Sequence, residues 1–302
     1  MPEATAHEVG EFGLIDRVVE RLGTSPAVLI GPGDDAAVVT ASDGHVVATT
    51  DVLVEGVHFR RDWSSAYDVG RKAAAASLAD VAAMGGTATA LLVGLAAPGD
   101  LPVSWATGLA DGLRDEGALV GAVVVGGDTV SCDRIVVSVT ALGDLAGRAP
   151  VTRAGAQPGD VVVLAGRLGW SAAGLELLQS GVSDGPLVDA HRRPEPPYAL
   201  GPALAGAGAT AMCDVSDGLV ADLGHIARAS GMIVSLRSGQ LADDAVELVH
   251  VLTGGEDHAL VATLPAGVEV PAGCRTVGWI RSGEPGVLVD GEPVRGGWKH
   301  FS

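Results

Sequence analysis

Apolar runs of strand length alternate with helical stretches along the whole chain, and that alternation restricts it to a layered α/β architecture. In the first half "AVLI", "AAVV" and "HVVATTDV" read as strands between Gly-rich turns. "AYDVGRKAAAASLADVAAMGG" reads as an alanine-rich helix stopped by Gly85 and Gly86. Strand "ATALLVGLAA", helix "VSWATGLADGLRDEG" and strands "ALVGAVVVGGDTV" and "RIVVSVTALGDL" follow. Ahead of them all, "EFGLIDRVVERLG" is an amphipathic helix with Phe12, Ile15, Val19 and Leu22 on one face.

Near residue 147 the chain turns polar and loop-like, "AGRAPVTRAGAQPGD", and this stretch is the expected domain boundary. The sequence therefore predicts an α+β domain over 1–147 and a layered α/β domain over 148–302. In the second, strand "DVVVLAG" and helix "SAAGLELLQSG" lead into a Pro-rich connection, "HRRPEPPYALG". Strand "TAMCDV", helix "GLVADLGHIARAS", strand "MIVSL", helix "AVELVHVLTGG" and strands "HALVATL" and "GVLVDG" complete it.

Charge narrows the partners. The 302 residues carry a formal net charge of −18, and only Lys72 and Lys299 are lysines. Nucleic acid and anionic membrane surfaces call for basic faces, so neither is an expected partner. Small anionic substrates remain open if metal cations intervene. The three cysteines form no CxxC pair, the histidines lack metal-ligand spacing, and the longest apolar runs are too short to cross a bilayer. "MPEATAHEVGEF" has neither the basic nor the apolar region of a signal peptide, so the expectation is a soluble cytoplasmic protein.

The aspartates carry the chemistry. Asp34 and Asp35 stand adjacent in a Gly-bounded turn. Asp51 follows Thr49 and Thr50 at the expected end of a strand, and Asp128 ends another. Asp214 and Asp217 bracket the turn "DVSDGL", and Asp80 sits in the last turns of its helix, where the macrodipole disfavours an anion. Taken singly, Asp beside Gly is ordinary turn chemistry, and Ser216-Asp217-Gly218 is an ordinary helix start. Taken together, with so few lysines to pair them, these acids point to a polynuclear site for a hard divalent cation such as Mg²⁺, Ca²⁺ or Mn²⁺. P-loop, GxGxxG, GxSxG and HExxH motifs are absent. "GRLGWSAAGLELL" is Gly-rich beside a helix start, which suits either a phosphate or close packing.

"GDDAAV", "TTDVLVEGVHF", "KAAAASLADVAAMGG", "GGDT", "DVSDGL", "GGEDHAL" and "GWKHF" occur in the order seen in the thiamine-monophosphate kinase family, and from Glu11 to Phe301 the chain resembles it. That family belongs to the superfamily of aminoimidazole ribonucleotide synthetase, so the resemblance implies its two-domain fold. It implies phosphorylation of thiamine phosphate to thiamine diphosphate, with ATP as co-substrate and several Mg²⁺ ions. The implied metal ligands are Asp35 together with its neighbour Asp34, Thr49, Thr50, Asp51, Asp80, Asp128, Asp214 and Asp217. Gly127, Asp128, Arg153 and Ser216 are implied at ATP; His58, Glu256 and Trp298 at the thiamine moiety.

From spacing alone, His58 reads as a strand-end polar residue, Glu256 as a turn residue and Trp298 as a packing lid. The resemblance also implies a homodimer joined through the N-terminal domains. It departs from the family pattern at Ala79, Pro197, His258 and Ala259. No protein nucleophile or base is expected, because the acceptor is itself a phosphate. The alternatives are another ATP-using synthetase of the superfamily and a non-catalytic Mg-nucleotide sensor. A selenophosphate synthetase calls for a reactive cysteine near the start, and a hydrogenase-maturation protein for one at the end. This chain has no cysteine before Cys132 and finishes "WKHFS".

Overall fold

A computed structural model describes residues 4–30 and 38–298. The chain divides into two compact units, Met1–Val81 with Thr87–Ala146, and Ala82–Gly86 with Gly147–Ser302.

In the first unit, helix α1 (Ala6–Val19) starts five residues before the predicted segment, because Thr5 and Glu8 form a capping box. Strands β1 (Val28–Ile30) and β2 (Val38–Val39) pair as a short antiparallel ribbon. The main sheet has four strands: β3 (Val47–Val54), β4 (Thr87–Ala97), β5 (Val123–Ser131) and β6 (Val136–Asp144). Their spatial order is β3-β6-β4-β5; only the β4–β5 pair is parallel. The helix joining β4 to β5, α3 (Val103–Ala118), gives that parallel pair its crossover.

Helix α2 (Ala66–Ala83) lies between β3 and β4 in the chain. Small residues let α2 and α3 touch: a Cβ on Gly70 would run into the Leu109 carbonyl, and one on Gly112 into that of Tyr67. The run Ala73–Ala76 with Leu78, Ala79 and Val81 is buried, which is why the second half of this helix is rich in alanine. Ala79 is a core residue.

The second unit is built on a seven-stranded sheet. Its strands are β7 (Val161–Ala165), β8 (Ala211–Val215), β9 (Met232–Leu236), β10 (Ala259–Leu264), β11 (Cys274–Ser282), β12 (Gly286–Val289) and β13 (Glu292–Pro293), in the order β13-β12-β9-β11-β7-β10-β8. The sheet is antiparallel except between β9 and β12. Helices α4 (Trp170–Gln179), α5 (Pro186–Arg192), α6 (Leu200–Gly206), α7 (Leu219–Ser230), α8 (Ser238–Leu241) and α9 (Leu248–Thr253) connect the strands. A large core cluster of this unit packs β8, β9 and β11 with Leu219, Leu223 and Ile226 of α7.

Three expectations change here. The stretch around the Pro-rich "HRRPEPPYALG" contributes two helices, α5 begun by Pro186 at its first turn, and α6. Strand β11, in the middle of the sheet, is hidden in the sequence by Arg275, Gly278 and Arg281, and it carries a register shift between Thr276 and Gly278. Asp51 and Asp128 lie inside β3 and β5, not at their ends.

Candidate active site

In the first unit, β3 and α2 make an acid–hydroxyl cluster. Alternation along β3 sends Thr49 and Asp51 to one face. Thr49 Oγ1 donates to Asp80 Oδ2 at 2.6 Å, and Ser77 Oγ donates to Asp51 Oδ2 at 2.7 Å. Ser77 and Asp80 share a helix face because they are three residues apart. Asp80 thus has a hydroxyl partner at the helix end where the macrodipole opposes it; no basic side chain occupies that last turn. Thr50 points the other way: its side chain faces the opposite side of the sheet, where its Oγ1 accepts a bond from Thr140 Oγ1 at 3.0 Å.

Asp128 is also apart. β3 and β5 are opposite edges of the sheet, and three strand spacings of about 4.8 Å put Asp128 roughly 14 Å from Asp51 along it. Asp128 is exposed, with Oδ1 accepting from the N–H of Thr129 at 2.8 Å. Gly127 before it is required: a Cβ there would collide with the Val93 carbonyl of the neighbouring strand.

Beyond β3, His58 Nδ1 accepts from Val54 N–H at 3.0 Å, and buried Lys72 donates to the His58 carbonyl at 3.1 Å. The neutral His58 ring therefore carries its proton on Nε2.

In the second unit three segments meet at the end of β8. The N–H of Glu256 bonds the Ser216 carbonyl at 2.9 Å, that of His258 the Val215 carbonyl at 3.2 Å, and that of Trp298 the Asp217 carbonyl at 2.9 Å. Gly255 has no side chain because a Cβ would strike the Ser216 carbonyl. The turn holding Asp214, Ser216 and Asp217 is therefore joined backbone to backbone with the loop of Glu256 and the segment of Trp298, whose side chain is 57% exposed. Asp214 is buried, its Oδ2 3.0 Å from His258 Nδ1. Arg153 is exposed, and its carbonyl accepts from Ser230 Oγ.

Sequence reasoning missed the residues that shape these loops. Asp222 is buried, and its Oδ2 accepts the N–H groups of Asp217 and Gly218, each at 3.0 Å. Burial, with the negative charge of Asp214, pushes its carboxyl up to about 7. Asp257 accepts the N–H of Ser171 at 3.0 Å, and burial pushes its carboxyl up to about 6, although the N–H groups of Ser171 and Gly169 pull the other way. This overturns the phosphate reading of "GRLGWS". A buried carboxylate already occupies the start of α4, and Gly169 is there because a Cβ would meet the backbone of His250 and Val251. The signals were the acids in "SDGLVAD" and "GGED", which read singly as helix and turn residues.

Asp34 and Asp35 lie outside the described residues. Among the described residues no three His, Cys, Asp or Glu side chains converge as a metal cage. What does converge, carboxylates beside hydroxyls, fits Mg²⁺: it is hard, keeps several waters, and takes one or two carboxylates together with substrate phosphates.

Comparison with known proteins identifies the frame. Residues 33–145 match the AIR synthase related protein N-terminal domain, and residues 157–299 match its C-terminal domain. Thiamine-monophosphate kinase of Mycobacterium tuberculosis is 50% identical over 98% of this chain and 93% of its own length. That of Corynebacterium glutamicum is 38% identical over 98% and 95%. Among solved structures, thiamine-monophosphate kinase from Stenotrophomonas maltophilia K279a superposes with a TM-score of 0.83 at 33% identity, covering 94% of this chain and 98% of that one. AaThiL complexed with AMPPCP and TMP gives 0.81 at 36% identity, covering 97% and 98%. A hydrogenase maturation protein, HypE, shares the fold alone, with a TM-score of 0.77 at 16% identity. With its AIR synthase-like two-domain fold, the chain belongs to the thiamine-monophosphate kinase family.

Proposed function

We propose that this chain transfers the γ-phosphoryl group of ATP directly to the phosphate of thiamine phosphate, giving thiamine diphosphate and ADP. Family membership supports the reaction. One observation carries the assignment of roles: the turn of Asp214, Ser216 and Asp217 is bonded through its backbone to the loop of Glu256 and the segment of Trp298. Groups suited to phosphates and cations then adjoin groups suited to an aromatic cationic acceptor.

The acceptor needs no protein base. The second pKa of a phosphate monoester is about 6, so at neutral pH its oxygen is already a nucleophile. The obstacle is repulsion, roughly 4 kcal/mol for each pair of unit charges ~4 Å apart at an effective dielectric of ~20. In our reading Asp51, Asp80 and Thr49, with Asp128, Asp214, Asp217 and one of Asp34 and Asp35, would hold Mg²⁺, with Thr50 contributing at most a carbonyl. Mg²⁺ when bound supplies charge neutralisation and in-line alignment of the two phosphates. Gly127, Arg153 and Ser216 meet the nucleotide. His58 presents Nε2–H to the acceptor, Glu256 accepts from its aminopyrimidine, and Trp298 stacks on its rings with a cation–π contact to the thiazolium. Catalysis is positioning plus electrostatics.

The same reading makes the chain a homodimer joined through the N-terminal sheets. Asp51 and Asp128 sit at opposite edges of one sheet, too far apart to share an ion within a protomer. Pairing β3 of one copy with β5 of another would bring together the two strands that carry them. The demand for ATP places the protein in the cytoplasm. The test is ADP release by the purified chain with Mg-ATP, with and without thiamine phosphate, and identification of thiamine diphosphate by chromatography. ADP release that ignores thiamine phosphate refutes the assignment. Nucleotide binding without turnover favours a sensor instead.

A further inference from the structure

The loop that carries Glu256 is held in an unusual conformation. Glu256 and His258 have φ of 65° and 51°, the left-handed region, and neither is glycine. Such conformations persist only where the surroundings impose them. The first turn of α4 does part of this: the backbone N–H of Ser171 holds Asp257. The hydroxyl of the same serine lies 3.0 Å from His191 Nδ1, with both residues buried. His191 Nδ1 in turn lies 3.6 Å from Glu256 Oε2, within ion-pair range though long for a hydrogen bond.

The placement is built into the helix pair. A Cβ on Gly174 of α4 would strike the Leu187 carbonyl of α5 and crowd His191 Cβ, so only glycine lets α5 come close enough for its histidine to reach Ser171.

We propose that His191 is a positioning residue for the acceptor: its Nδ1–H, shared between the Ser171 hydroxyl oxygen and the Glu256 carboxylate, presets that carboxylate toward the aminopyrimidine end of thiamine phosphate. A glutamate on a flexible side chain loses rotamer freedom when a ligand orders it, and a preset one does not. His191 touches neither phosphate nor reacting atoms, so its effect falls on acceptor affinity and leaves the chemical step alone. The proposal rests on the reading of Glu256 as an acceptor-recognition residue.

The test uses the full chain with His191→Leu, His191→Asn, Ser171→Ala and Glu256→Gln, each checked for thermal midpoint. The measurements are thiamine phosphate binding by calorimetry without ATP, and KM and kcat for both substrates. His191→Leu raises the Kd and KM for thiamine phosphate by about three- to tenfold, the cost of ordering one side chain, with kcat and the KM for ATP within about twofold. His191→Asn, whose amide nitrogen replaces Nδ1, recovers most of the loss, and Ser171→Ala gives a smaller effect of the same kind. The double variant His191→Leu with Glu256→Gln is no worse than Glu256→Gln alone. Unchanged thiamine phosphate binding in folded His191→Leu overturns the proposal, as does an equal rise in both KM values or additivity with Glu256→Gln. Should His191→Leu not fold, His191→Asn set against Ser171→Ala decides by the same criteria. If Glu256→Gln itself leaves acceptor binding unchanged, the reading of the acceptor site fails first, and the proposal with it.

Discussion

Asp257 is a buried acid whose loss of water is only partly compensated, and replacing it with Asn makes that cost measurable. Its Oδ1 accepts from Ser171 N–H, but its buried Oδ2 has no hydrogen-bond partner. Burial raises the carboxyl from an ordinary 3.8 to about 6. The folded protein therefore holds a proton that the unfolded chain has already released between those values. Stability from this site is fully present below about pH 4, declines as pH rises, and is lost above about pH 6. The gap is worth ~3 kcal/mol.

Asp257→Asn keeps the acceptor for Ser171 and cannot ionise, but its NH₂ group takes the unpartnered place at about 1–2 kcal/mol. The variant is thus less stable than wild type near pH 4.5 and more stable by about 1–2 kcal/mol near pH 7.5. Urea denaturation of both proteins between pH 4 and 8 reads this, because groups away from Asp257, His258 and Arg167 titrate alike in the two. A difference that stays flat across that range, or moves against the variant as pH rises, would falsify the burial argument.

Other outcomes follow from the site. Thr49→Val removes the hydroxyl on Asp80 and lowers turnover by about tenfold or more, whereas Thr50→Val, on the opposite face, changes it by less than about twofold; equal losses in steady-state assays count against the division of β3 into two faces. Inactive Asp51→Asn and Asp128→Asn chains, refolded together, regain about one quarter of wild-type activity if the two acids come from different copies, since random pairing makes half the dimers mixed with one intact site each. Mixtures as dead as the parents place both acids in one protomer's site. Trp298→Leu weakens thiamine phosphate binding by about three- to thirtyfold through loss of stacking and cation–π contact, with ATP binding unchanged. A parallel loss of ATP affinity in fluorescence titrations would show Trp298 to be a general lid.

Much of the local structure is legible without coordinates. The alternation in "HVVATTDV" and the alanine face of "KAAAASLADVAAMGG" mark a half-exposed strand and a buried helix, because periodicity reports how each element meets its core. The acids of "TTD", "LAD", "GGD" and "SDG" stand out because so few lysines are present to pair them. Strand β11 does not stand out, since two arginines and a glycine break its apolar run; it is central only because β7 and β9 flank it.

What the sequence by itself determined was therefore most of the strands and helices, with β11, α5 and α6 among the exceptions, and that oxygen ligands for a hard cation are in long supply. Only the tertiary structure decided which of those ligands meet. Strand order put Asp128 an edge away from Asp51, and pleating turned Thr50 from Thr49. The docking of α4 and α5 gave Ser171 and His191 to a loop far from them in sequence. The reason is physical: a side chain's period along its own element is set by local backbone geometry. Its neighbours across the sheet are set by pairings that exist only once the whole layer has packed.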